Sequence, residues 1–148
     1  MKVLMLCLGN ICRSPMAEGV LRSRAAARGI DVHVDSAGTG GWHAGDPPDP
    51  RAIAAALGRG VDLAALRARK LERADFQRFD IILAMDSDNL AQARALAPAR
   101  GGAKVVRFLD HAGIGGDVPD PYYSGRFDAV LDLIERGCDA TLEQMPRP

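Results

Sequence analysis

Lys2-Val3-Leu4-Met5-Leu6 runs without a break into Cys7-Leu8-Gly9-Asn10-Ile11-Cys12-Arg13-Ser14-Pro15. The first five residues are short and apolar and predict a strand over 2–6. Pro15 suits the first turn of a helix, where its missing N–H is harmless. Met16, Ala17, Val20 and Leu21 then recur at helical spacing, and Gly29 supplies the stop. Strand, tight loop and helix in that order open a parallel α/β unit, because parallel strands need a helical crossover. In doubly wound sheets ligands sit beyond the carboxyl ends of the strands, where this loop falls.

The rest of the chain continues the alternation. Asp31-Val32-His33-Val34-Asp35 predicts a second strand. Residues 36–50 hold four glycines, three prolines, Trp42 and His43 and read as irregular. Ala52 to Leu57 predicts a short helix, and a further helix is entered near Glu72 within 67–78. Phe79 to Met85 is a compact apolar run suited to a central buried strand. Asp86 or Ser87 caps a helix to about Leu96, and Lys104 to Leu109 is the fourth strand. A second Gly/Pro-rich loop covers 110–123 and ends in Asp120-Pro121-Tyr122-Tyr123. Phe127, Val130, Leu131, Ile134 and Cys138 mark one face of a long last helix, with fraying expected beyond Glu143. The expected architecture is α/β: one domain over residues 1–148, a four-stranded parallel sheet with helices on both faces.

Composition narrows the function. A chain of 148 residues builds one core, and 47% hydrophobic with 26% charged residues is ordinary for a globular protein. Nineteen basic residues balance nineteen acidic ones, which argues against a nucleic-acid or anionic-membrane binder. No apolar run approaches the roughly 20 residues of a membrane span, and the N-terminus lacks the length of a signal peptide. Three cysteines are too few for a disulfide scaffold and fit a reducing compartment, so the cytoplasm is the expected location.

The chemistry is concentrated between Cys7 and Ser14. Backbone N–H groups of residues 8–13 that curl inward form a nest for an anion, and the following helix N-terminus adds positive potential. Gly9 leaves room for close approach, and Asn10 tolerates a left-handed backbone. Arg13 offers a planar fork to two oxygens of a phosphate. The same surroundings favour the anionic form of Cys7, which is then poised for in-line attack on phosphorus. The loop has neither the Gly-Lys-Ser/Thr of a nucleotide P-loop nor a G-x-G-x-x-G fingerprint. Cys7 and Cys12 lack metal-ligand spacing, and His33, His43 and His111 form no ligand pair, so no metal is expected.

Cys7 to Pro15 with Met16-Ala17-Glu18 resembles the signature of the low-molecular-weight protein tyrosine phosphatases. Asp35-Ser36-Ala37-Gly38-Thr39, Gly45-Asp46-Pro47-Pro48-Asp49, Ala84-Met85-Asp86 and Asp120-Pro121-Tyr122-Tyr123 extend the resemblance along nearly the whole chain. The resemblance implies that Cys7 is the nucleophile and forms a cysteinyl-phosphate. It implies that Arg13 and the amides of Leu8, Gly9, Asn10, Ile11, Cys12 and Arg13 bind the phosphoryl oxygens. Asn10 and Ser14 would support the loop, with Ser14 bonded to the thiolate. Asp120 would be the general acid, needed because a tyrosine leaving group with a pKa of about 10 departs poorly unprotonated. Ile11, Trp42, Tyr122 and Tyr123 would line the substrate cleft, although a lone tryptophan in a glycine-rich loop also packs on that loop. Cys12 would close a disulfide with Cys7 on oxidation. The implied partners are phosphotyrosine-containing proteins and a tyrosine kinase, with no cofactor and a monomer or weak dimer.

Related activities diverge at named positions. Arsenate reductases sharing the loop need two further cysteines, and residues 86–137 contain none. Protein arginine phosphatases carry threonine where this chain has Ile11. The alternatives left standing are a protein arginine phosphatase and a non-catalytic phosphotyrosine-binding module. Arg59-Gly60-Val61 departs from the histidine that some family members carry before glycine.

Overall fold

A computed structural model describes residues 1–146. Its described residues hold four strands, β1 (Lys2–Cys7), β2 (His33–Gly38), β3 (Ile81–Ala84) and β4 (Lys104–Arg107), all parallel and ordered β2-β1-β3-β4. The helices are α1 (Arg13–Ala27), α2 (Pro50–Leu57), α3 (Asp75–Arg78), α4 (Ser87–Leu96), α5 (Phe108–His111), α6 (Pro121–Ser124) and α7 (Phe127–Glu143).

Period-two alternation along β1 builds the core on both sides of the sheet. Val3 and Met5 join one apolar cluster with Leu21, Leu131 and Ile134, from α1 and α7. Leu4 and Leu6 join the other with Phe76, Ile82 and Ala93. Val3 to Leu6 are fully buried, each worth ~1.5–3 kcal/mol relative to exposure. From β1 the chain crosses through α1 to β2 on one side, and β3 lies on the other. The loop after β1 therefore opens at the point where the strand order reverses, the crevice in which open α/β sheets bind ligands.

Several expected boundaries are corrected. The second strand occupies 33–38 rather than 31–35, and Ser36, Ala37 and Gly38 are not irregular. These residues are poor strand formers, but they pair in register with Met5, Leu6 and Cys7, and pairing overrides propensity. The central run narrows to 81–84. Residues 69–71 are held extended, because Arg69 O and the Leu71 N–H both bond Gly38, so the helix in 67–78 is confined to α3. The fourth strand stops at Arg107. Continued as a strand, Phe108 and Leu109 would face opposite sides of the sheet; as α5 both enter the cluster under α7. The loop over 110–123 also ends in a turn of helix, α6. Past Glu143 the chain stays packed as far as Met145, which is buried.

Candidate active site

The carbonyls of Cys7, Leu8, Ile11 and Cys12 accept from the amides of Thr39, Gly40, Asp49 and Met16. In a trans peptide the N–H of the next residue points the opposite way. The amides of Leu8, Gly9, Cys12 and Arg13 are thus turned away from the segments that hold those carbonyls. Among the described residues Asn10 is the non-glycine residue with a left-handed backbone (φ 57°), and it makes the reversal that wraps the loop. Its side-chain amide is fully employed. Nδ2 donates to Ser14 Oγ (2.8 Å) and Ser36 Oγ (2.9 Å), and Oδ1 accepts from Arg69 N (3.0 Å). Ser36 in turn donates to the buried carboxylate of Glu18 at 2.6 Å. Gly38 is required beside the loop, since a Cβ there would lie 2.7 Å from Leu8 O.

Cys7 Sγ lies 3.0 Å from Ser14 Oγ. Ser14 accepts from Asn10, and its one hydrogen has the sulfur at 3.0 Å and the more distant Ala37 O at 3.5 Å to choose between; an anionic sulfur leaves Ser14 as the only donor of the Cys7–Ser14 pair. Arg13 is buried, with Nη1 bonded to Asp86 Oδ2 (2.7 Å) and Val118 O (3.0 Å). Burial opposes its charge, but the sulfur of Cys7 and the carboxylates of Asp86 and Asp120 outweigh that, and its pKa is raised. Nη2 stands 3.7 Å from Asp120 Oδ2, outside hydrogen-bond reach, so the Nε and Nη2 hydrogens remain for a ligand. Asp120 caps α6, with Oδ1 accepting from Tyr122 N at 3.0 Å.

Of the residues expected at the site, Cys7, Leu8, Gly9, Ile11, Cys12, Arg13, Trp42, Asp120, Tyr122 and Tyr123 line one cleft of about 220 Å³. Asn10 and Ser14 sit behind it as the loop's support. Trp42 and Tyr123 stand out at the rim, 72% and 92% exposed. The Trp42 ring also lies flat over Gly40, so packing on its own loop and lining the cleft are both true of it. Tyr122 and Tyr123 meet edge to face at 4.9 Å, and the Arg51 guanidinium covers Tyr122 from behind at 5.3 Å. Burial, then the charges of Asp49, Cys7 and Asp120, push the Cys12 thiol up to about 12. Cys138 is buried in the core.

Sequence reasoning missed three participants. Asp86 reads in sequence only as a helix cap; it caps Asn89 N with Oδ1 and holds Arg13 with Oδ2. Val118 contributes a carbonyl that no side-chain pattern could announce. His43, read in sequence only as part of an irregular loop, lines the cleft against Gly9. Its place next to Trp42 was the available signal.

The family model described as low molecular weight phosphotyrosine protein phosphatase matches residues 2–148. A relative from Streptomyces coelicolor, "Low molecular weight protein-tyrosine-phosphatase", is 47% identical over 90% of this chain and 87% of its own length. The Bacillus subtilis protein YfkJ, named with the same words, is 40% identical over 98% of this chain and 96% of its own. Its crystal structure superposes with a TM-score of 0.91 over 97% of this chain and 92% of that one, at 41% identity. The crystal structure of a Drosophila arginine phosphatase superposes with a TM-score of 0.90, at 32% identity over 97% of this chain and 96% of its own. With the signature loop, the sheet order and these matches in agreement, the chain belongs to the low molecular weight phosphotyrosine protein phosphatase family.

Proposed function

We propose that the protein is a tyrosine phosphatase that hydrolyses phosphotyrosine in protein substrates through a cysteinyl-phosphate. The observation that carries this reading is a single cleft with a cysteine sulfur, a buried arginine fork and a carboxylate converging in it under aromatic walls. The aromatic side chains of Trp42, Tyr122 and Tyr123 that line the cleft suit a phenyl ring.

In the first step the Cys7 thiolate attacks phosphorus in line while the S–P bond forms and the P–O bond to tyrosine breaks. Charge on the equatorial oxygens meets the loop amides and the free hydrogens of Arg13. Asp120 gives its proton to the leaving tyrosyl oxygen. In the second step Asp120, now a carboxylate, takes a proton from the water that attacks the cysteinyl-phosphate, releasing phosphate and regenerating the thiolate.

The decisive measurement is release of p-nitrophenol from p-nitrophenyl phosphate with a chelator present. Cys7→Ser is expected to abolish it, and Asp120→Ala to slow turnover of aryl phosphates on the order of 10²–10⁴-fold with anion binding kept. A Cys7→Ser protein that still turns over ends the reading, and so does a wild-type protein that binds phosphotyrosine without hydrolysing it. The arginine phosphatase likeness makes phosphoarginine the competing substrate. Ile11, Trp42 and Tyr122 in the cleft favour an aryl group, and phosphotyrosine peptides are expected to outrun phosphoserine and phosphoarginine peptides.

The reading extends to setting. A tyrosine kinase supplies the substrates, three free thiols suit the cytoplasm, and the cleft needs no second copy to complete it. Peroxide would oxidise Cys7 to a sulfenic acid, and Cys12 would condense with it to a disulfide, losing water and silencing the enzyme.

A further inference from the structure

Asp120 makes no side-chain hydrogen bond to the sheet or to α1; its Oδ1 is used locally, on Tyr122 N. Beyond its 3.7 Å ion pair with Arg13, its place over Cys7 is set by the backbone on either side. Upstream, the connection from α5 contains Gly113, Gly115 and Gly116, all with positive φ (76°, 83° and 95°). Three glycines in four residues give that stretch much conformational freedom to lose. The amides of Gly113, Ile114 and Gly115 hold this stretch to Leu109 and Asp110 of α5, and Asp117 and Val118 tie the chain onward to α4, the sheet and Arg13. Val118 N bonds Met85 O at 2.8 Å, and Val118 O receives Arg13.

Asp117 is held by a cation outside the cleft. Arg107, the last residue of β4, puts Nε and Nη2 on the two oxygens of Asp110, both at 3.0 Å. Its Nη1 bridges Asp117 Oδ1 (2.8 Å) and Ser87 Oγ (2.9 Å). The same Asp117 oxygen accepts from Ser87 N and Ser87 Oγ, each at 3.0 Å. Ser87 opens α4 directly after Asp86, the partner of Arg13. One guanidinium thus ties the end of the sheet, the start of α4 and the root of the acid-bearing loop. An isolated exposed ion pair contributes little, but a forked arginine within a network holds its geometry far better.

We propose that Arg107 and Asp117 are positioning residues for proton transfer by Asp120, tethering the loop so that the carboxyl group meets the leaving oxygen. The inference rests on the phosphatase reading above. A displacement of about 1 Å at a reacting group costs up to 10²-fold, so loosening the tether has a measurable effect without any contact to substrate.

The test compares kcat/KM for phenyl phosphate, whose leaving group needs the proton, with that for p-nitrophenyl phosphate, whose more acidic phenol needs it less. Arg107→Met is expected to slow phenyl phosphate on the order of tenfold and p-nitrophenyl phosphate much less. Arg107→Lys is expected to recover part of the loss, and Asp117→Asn to repeat the pattern of Arg107→Met. In the Asp120→Ala background, Arg107→Met is expected to cost nothing further, because the group it positions is gone. Equal losses on both substrates, or the same loss with and without Asp120, would overturn the proposal in favour of a merely structural role. Full activity of Arg107→Met would overturn it too. Asp120→Ala on its own reports on the acid reading separately: if that change is silent, the phosphatase mechanism fails whatever Arg107 does.

Discussion

Cys7 and Cys12 share one loop and one cleft, yet only Cys7 has a donor at its sulfur in Ser14. Cys12 is buried beside Asp49, and its thiol at about 12 stays protonated across the physiological range. At pH 7 its thiolate fraction is very small. Alkylating reagents at neutral pH are therefore expected to label Cys7 first. After a peroxide pulse the proposed Cys7–Cys12 disulfide is expected to close slowly, because the attacking species is the thiolate. Below a pKa of about 12 that fraction rises with pH, so the closing rate is expected to climb roughly tenfold per pH unit from 7 to 9. Quenching at intervals and counting the crosslinked peptide by mass spectrometry measures it; a flat rate, or no crosslink, rejects Cys12 as the resolving thiol. The residues of the loop were legible in sequence because each carries its chemistry in its type and spacing. The partners that hold them were not, since Asp86 and Val118 lie 73 and 105 positions from Arg13 and only the folded sheet joins them.

At the scale of elements, legibility followed burial pattern. β1, α1 and α7 were readable from the spacing of their apolar residues, and α4 from its Asp86 cap. β2 was displaced because its last three residues are strand only through pairing with β1. α5 and α6 are four residues each, too short to leave a helical period in sequence. The packing of α5 against α7 makes a sharp prediction. A Cβ at Gly137 would lie 2.4 Å from Phe108 Cζ and 3.3 Å from Leu109 Cδ2, inside a filled core. Gly137→Ala gains about 1 kcal/mol of helix propensity but loses about 1–3 kcal/mol to overpacking. A net loss of a few degrees in Tm is expected by thermal unfolding. Phe108→Leu in the same chain should relieve the clash, and a Gly137→Ala variant as stable as wild type would mean that α5 shifts freely.

For the whole molecule, the strand order sends the loop after β1, the Asp86 cap after β3 and the Asp120 loop to one end of the sheet. Their union is the proposed anion site, made by the fold rather than by any one segment, so occupancy and folding are expected to be linked. Vanadate or inorganic phosphate at 100 times its dissociation constant is expected to stabilise the folded state by about 2.7 kcal/mol. The shift should be visible as a rise in Tm and should vanish in Arg13→Ala. An unchanged Tm in saturating vanadate would show that the loop does not hold oxyanions.

One consequence of Arg13 having its Nη1 locked between Asp86 and Val118 O concerns timing. An arginine side chain carries about 2 kcal/mol of rotamer entropy, and here the chain surrenders it during folding, long before any guest arrives. An incoming dianion meets a receptor that is already rigid, and its own capture is spared that ordering penalty.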